Sequence, residues 1–160
     1  MILYFLRHGR AEERQPGGRD EDRPLSEEGV AQLRAAAPAW RRLNLRPDVI
    51  LSSPLPRAAQ TAELLADALR TRDPETADRL APGAEWSDFG RCLADHPDAR
   101  RIVFVGHEPD LSRTVTLLTG ATVRLRPGGL AAIEFPGVPE PGAGELAWLL
   151  DPDLYARDET

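Results

Sequence analysis

Three short apolar runs, residues 1–6, 48–52 and 101–105, are separated by stretches with helical periodicity, and this alternation limits the available folds more than any other feature. The first is continuously apolar; the other two are short, β-branched and ended by small residues. They read as strands of a parallel sheet covered on both faces. Between them, Val30, Leu33, Ala37 and Trp40 recur at helical spacing, as do Ala58, Ala62, Leu65 and Leu69. Trp86, Phe89 and Leu93 predict a shorter third helix. Residues 111–119 predict a fourth, with Asp110 as its N-cap and Gly120 as its stop. Pro38 lies inside the first pattern, where an interior proline costs ~3 kcal/mol, so a kink or break is expected there. Residues 130–135 and 145–150, joined by a turn-rich segment, predict a hairpin at the sheet margin, and residues 76–80 predict a short edge strand. The expectation is one α/β domain over residues 1–160: a three-layer sandwich whose largely parallel sheet is flanked by helices and ends in an antiparallel hairpin.

A chain of 160 residues fits one domain and buries roughly 70% of the surface its unfolded form exposes, so no covalent staple is required. The net charge of −6 argues against a general nucleic-acid binder. All 20 cationic side chains are arginine, and without lysine a Walker-type phosphate loop is excluded. Cys92 is the only cysteine, so no intrachain disulfide can form. It is also no thiol-phosphatase nucleophile, since Asp98 stands where that chemistry wants an arginine; a small buried apolar residue is expected. The first apolar run is too short for a signal peptide, and no stretch approaches the ~20 apolar residues of a membrane helix. The default expectation is a cytoplasmic protein without membrane contact. No apolar patch argues for a dimer, so a monomer is expected.

Chemistry-bearing residues follow the strands. Arg7-His8-Gly9 comes directly after the first, Ser52-Ser53-Pro54-Leu55-Pro56-Arg57 after the second, and Gly106-His107-Glu108-Pro109 after the run 101–105. The tripeptide alone would arise by chance roughly 0.03 times in such a chain, so its context decides its meaning. In open parallel sheets, ligands bind at the carboxyl ends of strands. Arg7, His8, Arg57 and His107 are therefore expected to share one pocket. Arginine forks match phosphate oxygens, and Ser53-Pro54, read as N-cap and N1, would put Arg57 at a helix amino end that favours anions. A neutral imidazole there can attack phosphorus and hold the phosphoryl group covalently. Singly, each residue has a plainer role: a structural strand-end histidine, a solvated helix charge, a turn histidine, an ion-pair partner. His96, in the turn Asp95-His96-Pro97-Asp98, is read as a surface turn residue. The aperiodic loop 10–24 flanks His8 and is either functional or simply solvated.

The chain resembles the histidine phosphatase superfamily, and within it the small SixA-like phosphohistidine phosphatases. The resemblance is carried by Leu6-Arg7-His8-Gly9, Arg23-Pro24-Leu25-Ser26-Glu27-Glu28-Gly29, the segment from Ser52 through Arg57 to Ala62, Val105-Gly106-His107-Glu108-Pro109-Asp110-Leu111-Ser112 and Trp148-Leu149-Leu150. It implies that His8 is the phosphoacceptor and that Arg7, Arg57 and His107 complete the phosphate pocket. It also implies a reaction without metal or cofactor, in keeping with the lack of a metal-ligand motif. Many members use a carboxylic acid to protonate the leaving group. No residue here matches that acid securely; Glu12, Asp20, Glu85 and Asp88 are the candidates. A missing acid favours an imidazole leaving group, and a short chain without a cap favours an open site. Both point to phosphohistidine in a partner protein. The alternatives are a phosphatase of small sugar or nucleotide phosphates and a non-catalytic phosphate-binding module.

Overall fold

Residues 1–154 are described by the computed structural model. Six strands form one sheet: β1 (Ile2–Arg7), β2 (Val49–Ser52), β3 (Glu75–Thr76), β4 (Arg101–Gly106), β5 (Leu130–Glu134) and β6 (Glu145–Leu150), in the spatial order β3-β2-β4-β1-β5-β6. The first four run parallel, while β5 is antiparallel to both β1 and β6. Successive side chains of the central strands enter opposite layers. Leu3, Phe5, Ile102 and Phe104 join one core, and Tyr4, Leu6, Val103 and Val105 join the other. Burial on both faces explains why these strands read as unbroken apolar runs.

Helices α1 (Glu27–Arg42) and α2 (Pro56–Leu69) cover the face holding Leu6 and Val103, through Leu33, Ala36, Trp40, Ala62 and Leu65. Helices α3 (Trp86–Asp95) and α4 (Asp110–Thr119) cover the other through Phe89, Cys92, Leu111, Val115 and Leu118. Phe89 is held edge-on against Phe5 and Phe104, with ring centroids 5.7 and 5.1 Å away, which docks α3 on the sheet. The expected three-layer α/β sandwich with its terminal hairpin is the observed architecture. Cys92 is buried as expected.

Several local expectations are corrected. Helix α1 runs without interruption through Pro38. Pro38 is exposed, so the Arg34 carbonyl that loses its partner can turn to water and the helix need not break. Helix α2 starts two residues later than expected: Leu55 is its N-cap and Pro56, not Pro54, takes the first turn, although Arg57 remains there. Asp110 is the first residue of α4, not its cap; its Oδ2 accepts from Gly83 N at 2.7 Å, and Glu108 Oε1 accepts from Ser112 N. Gly120, at φ 76°, closes α4 as expected. The edge strand is only Glu75–Thr76, followed by a single 3-10 turn at Asp78–Leu80.

The loop after β1 is pinned at its base. Ala11 bridges Leu25, Glu12 N donates to Pro24 O at 2.9 Å, and Ser26 N donates to Arg10 O at 2.9 Å. Ser26 then caps α1 by accepting from Gly29 N. A Cβ on Gly29 would lie 2.2 Å from Arg10 O, so only glycine permits this approach. At its far side the loop forms a 3-10 turn, Asp20–Asp22.

Candidate active site

Chain order and spatial order together create the crevice. From β1 the chain crosses to β2 over the α1 face, and from β4 it crosses to β5 over the α4 face. The adjacent strands β1 and β4 thus send their following segments in opposite directions, the switch-point arrangement that opens a cleft at strand carboxyl ends. Backbone pairing continues one residue beyond the strands, with His8 N donating to Gly106 O at 3.1 Å and Ser53 N to Val105 O at 2.9 Å. His8, Ser53 and His107 therefore leave the sheet at one edge.

There His8 and His107 line a cavity of about 590 Å³ with Arg7, Arg10, Asp20, Arg23, Arg57 and Glu108 around it. All four side chains expected to meet do so. The His8 and His107 rings lie 5.2 Å apart. Arg57 is 3% exposed and His107 4%. Arg7 Nη1 donates to Leu125 O at 2.9 Å. Arg57 Nη1 donates to Asp20 O at 2.8 Å, and its Nη2 meets Asp20 Oδ2 at 3.2 Å. Arg7 Nε, Arg57 Nε and His107 Nδ1 are buried without hydrogen-bond partners among the described residues. Unmatched buried nitrogens are costly, at about 1–3 kcal/mol each; all three belong to side chains that line the cavity, and the arginine forks among them suit a multi-oxygen anion. Four guanidinium groups face two carboxylates around this cavity, on a chain whose net charge is −6.

The geometry fixes the proton on His8. Its Nδ1 lies 2.7 Å from Gly9 O, and because a carbonyl only accepts, Nδ1 carries the hydrogen. Nε2 then presents its lone pair. Gly9 is itself held, since its N–H donates to Thr61 Oγ1 at 3.0 Å. Burial above all, with Arg57, Arg7 and Arg23 adding repulsion, lowers the His8 pKa to about 4 against the opposing Gly9 hydrogen bond. Burial, then His8 and Arg57, lowers that of His107 to about 3.

Both rings are neutral at neutral pH, and this has a consequence for stability. An unfolded chain protonates each near pH 6.5, whereas the folded chain does so only near 4 and 3. Between those values the unfolded state binds more protons. Stability should therefore fall as pH drops from 6.5 towards 4, by up to ~1.4 kcal/mol per pH unit for each ring. Urea unfolding across this range is expected to give a shallower pH slope for His8→Ala and for His107→Ala than for the wild type. Equal slopes would show that the folded rings protonate normally.

Of the four acid candidates, only Asp20 reaches the cavity. Its carboxylate is bound to Arg57 and, at 2.8 Å, to Arg23. Desolvation is the largest single influence and raises its pKa, but the charges and hydrogen bonds of Arg23 and Arg57 together outweigh it, and the pKa is lowered. Glu85 and Asp88 are the reciprocal pair of a capping box at the start of α3, and Glu12 lies outside the lining. His96 also stays apart, bonded to Cys92 O at 2.9 Å and Glu75 at 3.0 Å. Sequence reasoning did not place Arg10 or Arg23 at the cavity, nor Ser53 against His107. Arg23 stands in one of the segments that carry the family resemblance, and Ser53 directly follows β2; those were the available signals.

Residues 3–87 match the model of the histidine phosphatase superfamily (branch 1). An uncharacterized protein of Picosynechococcus sp. is 37% identical over 140 residues, covering 83% of this chain and 84% of that protein. The candidate phosphohistidine phosphatase SixA of Agrobacterium tumefaciens has a similar structure, with a TM-score of 0.80 and 27% identity over 93% of this chain and 96% of that one. The α-ribazole phosphatase of Shigella flexneri shares the fold at a TM-score of 0.71 and 18% identity, over 95% of this chain and 97% of that one.

Proposed function

The chain belongs to the histidine phosphatase superfamily, and on that premise we propose that it hydrolyses phosphohistidine carried by a partner protein, through a covalent phosphoryl intermediate on His8. Its class is that of a phosphatase; the substrate and the residue roles are our reading. His8 Nε2 attacks phosphorus while Arg7, Arg57 and His107 hold the phosphoryl oxygens. The bond from phosphorus to the substrate nitrogen breaks. A phosphohistidine protonated on its remote ring nitrogen departs as neutral imidazole, so no protein acid is needed. Transfer leaves His8 with phosphorus on Nε2 and its hydrogen still on Nδ1, held by Gly9 O. Water then attacks phosphorus and releases phosphate, and His8 leaves as neutral imidazole in its original tautomer.

The observation that carries the choice of substrate is the state of the carboxylates at the cavity. Asp20 is committed to two arginines, and Glu108 accepts from Ser112 N at 3.0 Å at the start of α4. Asp20, held as a carboxylate by two cations, is a poor proton donor to an alkoxide, and one oxygen of Glu108 is turned to the backbone of α4. General acid catalysis is worth roughly 10²–10⁴-fold, so phosphate monoesters should suffer by a comparable factor. Exposed Arg10 and Asp20 at the cavity fit an approach by another protein's side chain.

A substrate panel tests this. A phosphohistidine peptide is expected to show kcat/KM at least about 10²-fold above sugar phosphates and nucleotide monophosphates. A metabolite turned over faster than the peptide would replace this reading with that of a small-molecule phosphatase.

A further inference from the structure

Among the described residues, Ser53 is the one whose side chain hydrogen-bonds the His107 ring, and it has no part in the scheme above. Its side chain is fully buried at 0% exposure, and its Oγ lies 2.7 Å from His107 Nε2. The backbone fixes its position through Ser53 N and Val105 O. Leu55 N donates to the same Oγ at 3.3 Å, which engages the hydroxyl oxygen as an acceptor. Among the described contacts of Oγ, the one acceptor left for the hydroxyl proton is His107 Nε2. An imidazole accepting at Nε2 carries its hydrogen on Nδ1 when neutral. His107 Nδ1 is the buried ring nitrogen without a partner, on a ring that lines the cavity beside His8.

We propose that Ser53 is a positioning residue that holds His107 as the neutral Nδ1–H tautomer, so that His107 serves as a fixed hydrogen-bond donor to the phosphoryl group and not as a base or a cation. The proposal rests on reading the cavity as a phosphoryl site. Charged and titratable groups around His107 favour this state. Burial, His8, Arg57 and Arg7 oppose a positive ring, against the attraction of Asp20; Glu108, also at the cavity, has an oxygen engaged by Ser112 N. A neutral donor also spares His8: an imidazolium 5.2 Å away would further repel the cationic character that His8 gains on taking up phosphorus.

The test reads the tautomer directly. In long-range 1H–15N spectra of the wild-type protein at neutral pH, His107 is expected as Nδ1–H, with that resonance moving when inorganic phosphate is added. An Nε2–H tautomer or an imidazolium overturns the proposal whether or not the protein turns over phosphohistidine. Loss of the phosphate response alone would instead count against the phosphoryl site. Ser53→Ala should lower kcat about tenfold and move the acid limb of the rate profile towards neutral pH, because Nε2 becomes free to take a proton. Ser53→Thr, which keeps the hydroxyl, should restore the wild-type limb. A slower Ser53→Ala enzyme with an unmoved limb would mean mere packing and would overturn the role. Should either variant not fold, the wild-type spectrum still decides.

Discussion

Replacing His8 by alanine is expected to abolish turnover, with a loss of roughly 10⁴-fold or more, as follows when a covalent nucleophile is removed. The fold should survive. The ring is only partly buried, and its one hydrogen bond among the described residues is to the neighbouring Gly9 carbonyl. Near neutral pH no buried charge is uncovered by the change, because the ring is neutral there. Two measurements separate chemistry from folding. Acid-quenched wild-type enzyme given a 32P-labelled phosphohistidine donor should carry label on His8, and His8→Ala should carry none while unfolding at a wild-type temperature. Residual label or turnover in the variant would assign the nucleophile elsewhere.

The second large effect belongs to Arg57. Its guanidinium is buried against the cavity, and its fork already grips two oxygens of Asp20, one backbone and one carboxylate. A phosphoryl group reacting at His8 develops charge on oxygens that such a fork matches in pairs. Arg57→Ala is expected to lower kcat by about 10²–10³-fold, the range for losing one preorganised donor to a developing oxyanion. Lysine should not restore it, since a single ammonium cannot reproduce two parallel bonds. His107→Ala should cost about 10²-fold on the same grounds. Kinetics with substrate in excess check these values. A change in KM with kcat untouched would make Arg57 a residue of uniform binding and not of the transition state.

The central strands were legible because burial on both faces forces continuous apolar sequence, and such runs have few other readings. The meeting of Arg7, His8, Arg57 and His107 was legible for a related reason: once strands are placed, a parallel sheet brings their carboxyl ends to one edge. Helix starts were less legible. Pro54 and Pro56 both satisfy the sequence pattern for a first turn, and the choice rests on Ser53 being drawn to His107 and the Leu55 amide. Asp110 has the composition of a cap, but Gly83 takes its carboxylate across the fold. The contacts of Asp20 and Arg23 could not be read from sequence. They sit in an aperiodic segment where they pair with each other, and Arg57, the further partner of Asp20, is supplied by a distant helix.

The narrow neck where Ala11 meets Leu25 has an evolutionary reading. Because both stems are tied there, extra residues spliced near Gly17, exposed and already left-handed at φ 76°, would lengthen a closed excursion without pulling on His8 or α1. Closure entropy grows only logarithmically, so doubling the excursion costs about 0.6 kcal/mol. A minimal enzyme of this shape could acquire a roof, and with it a narrower diet, by growth at a single point.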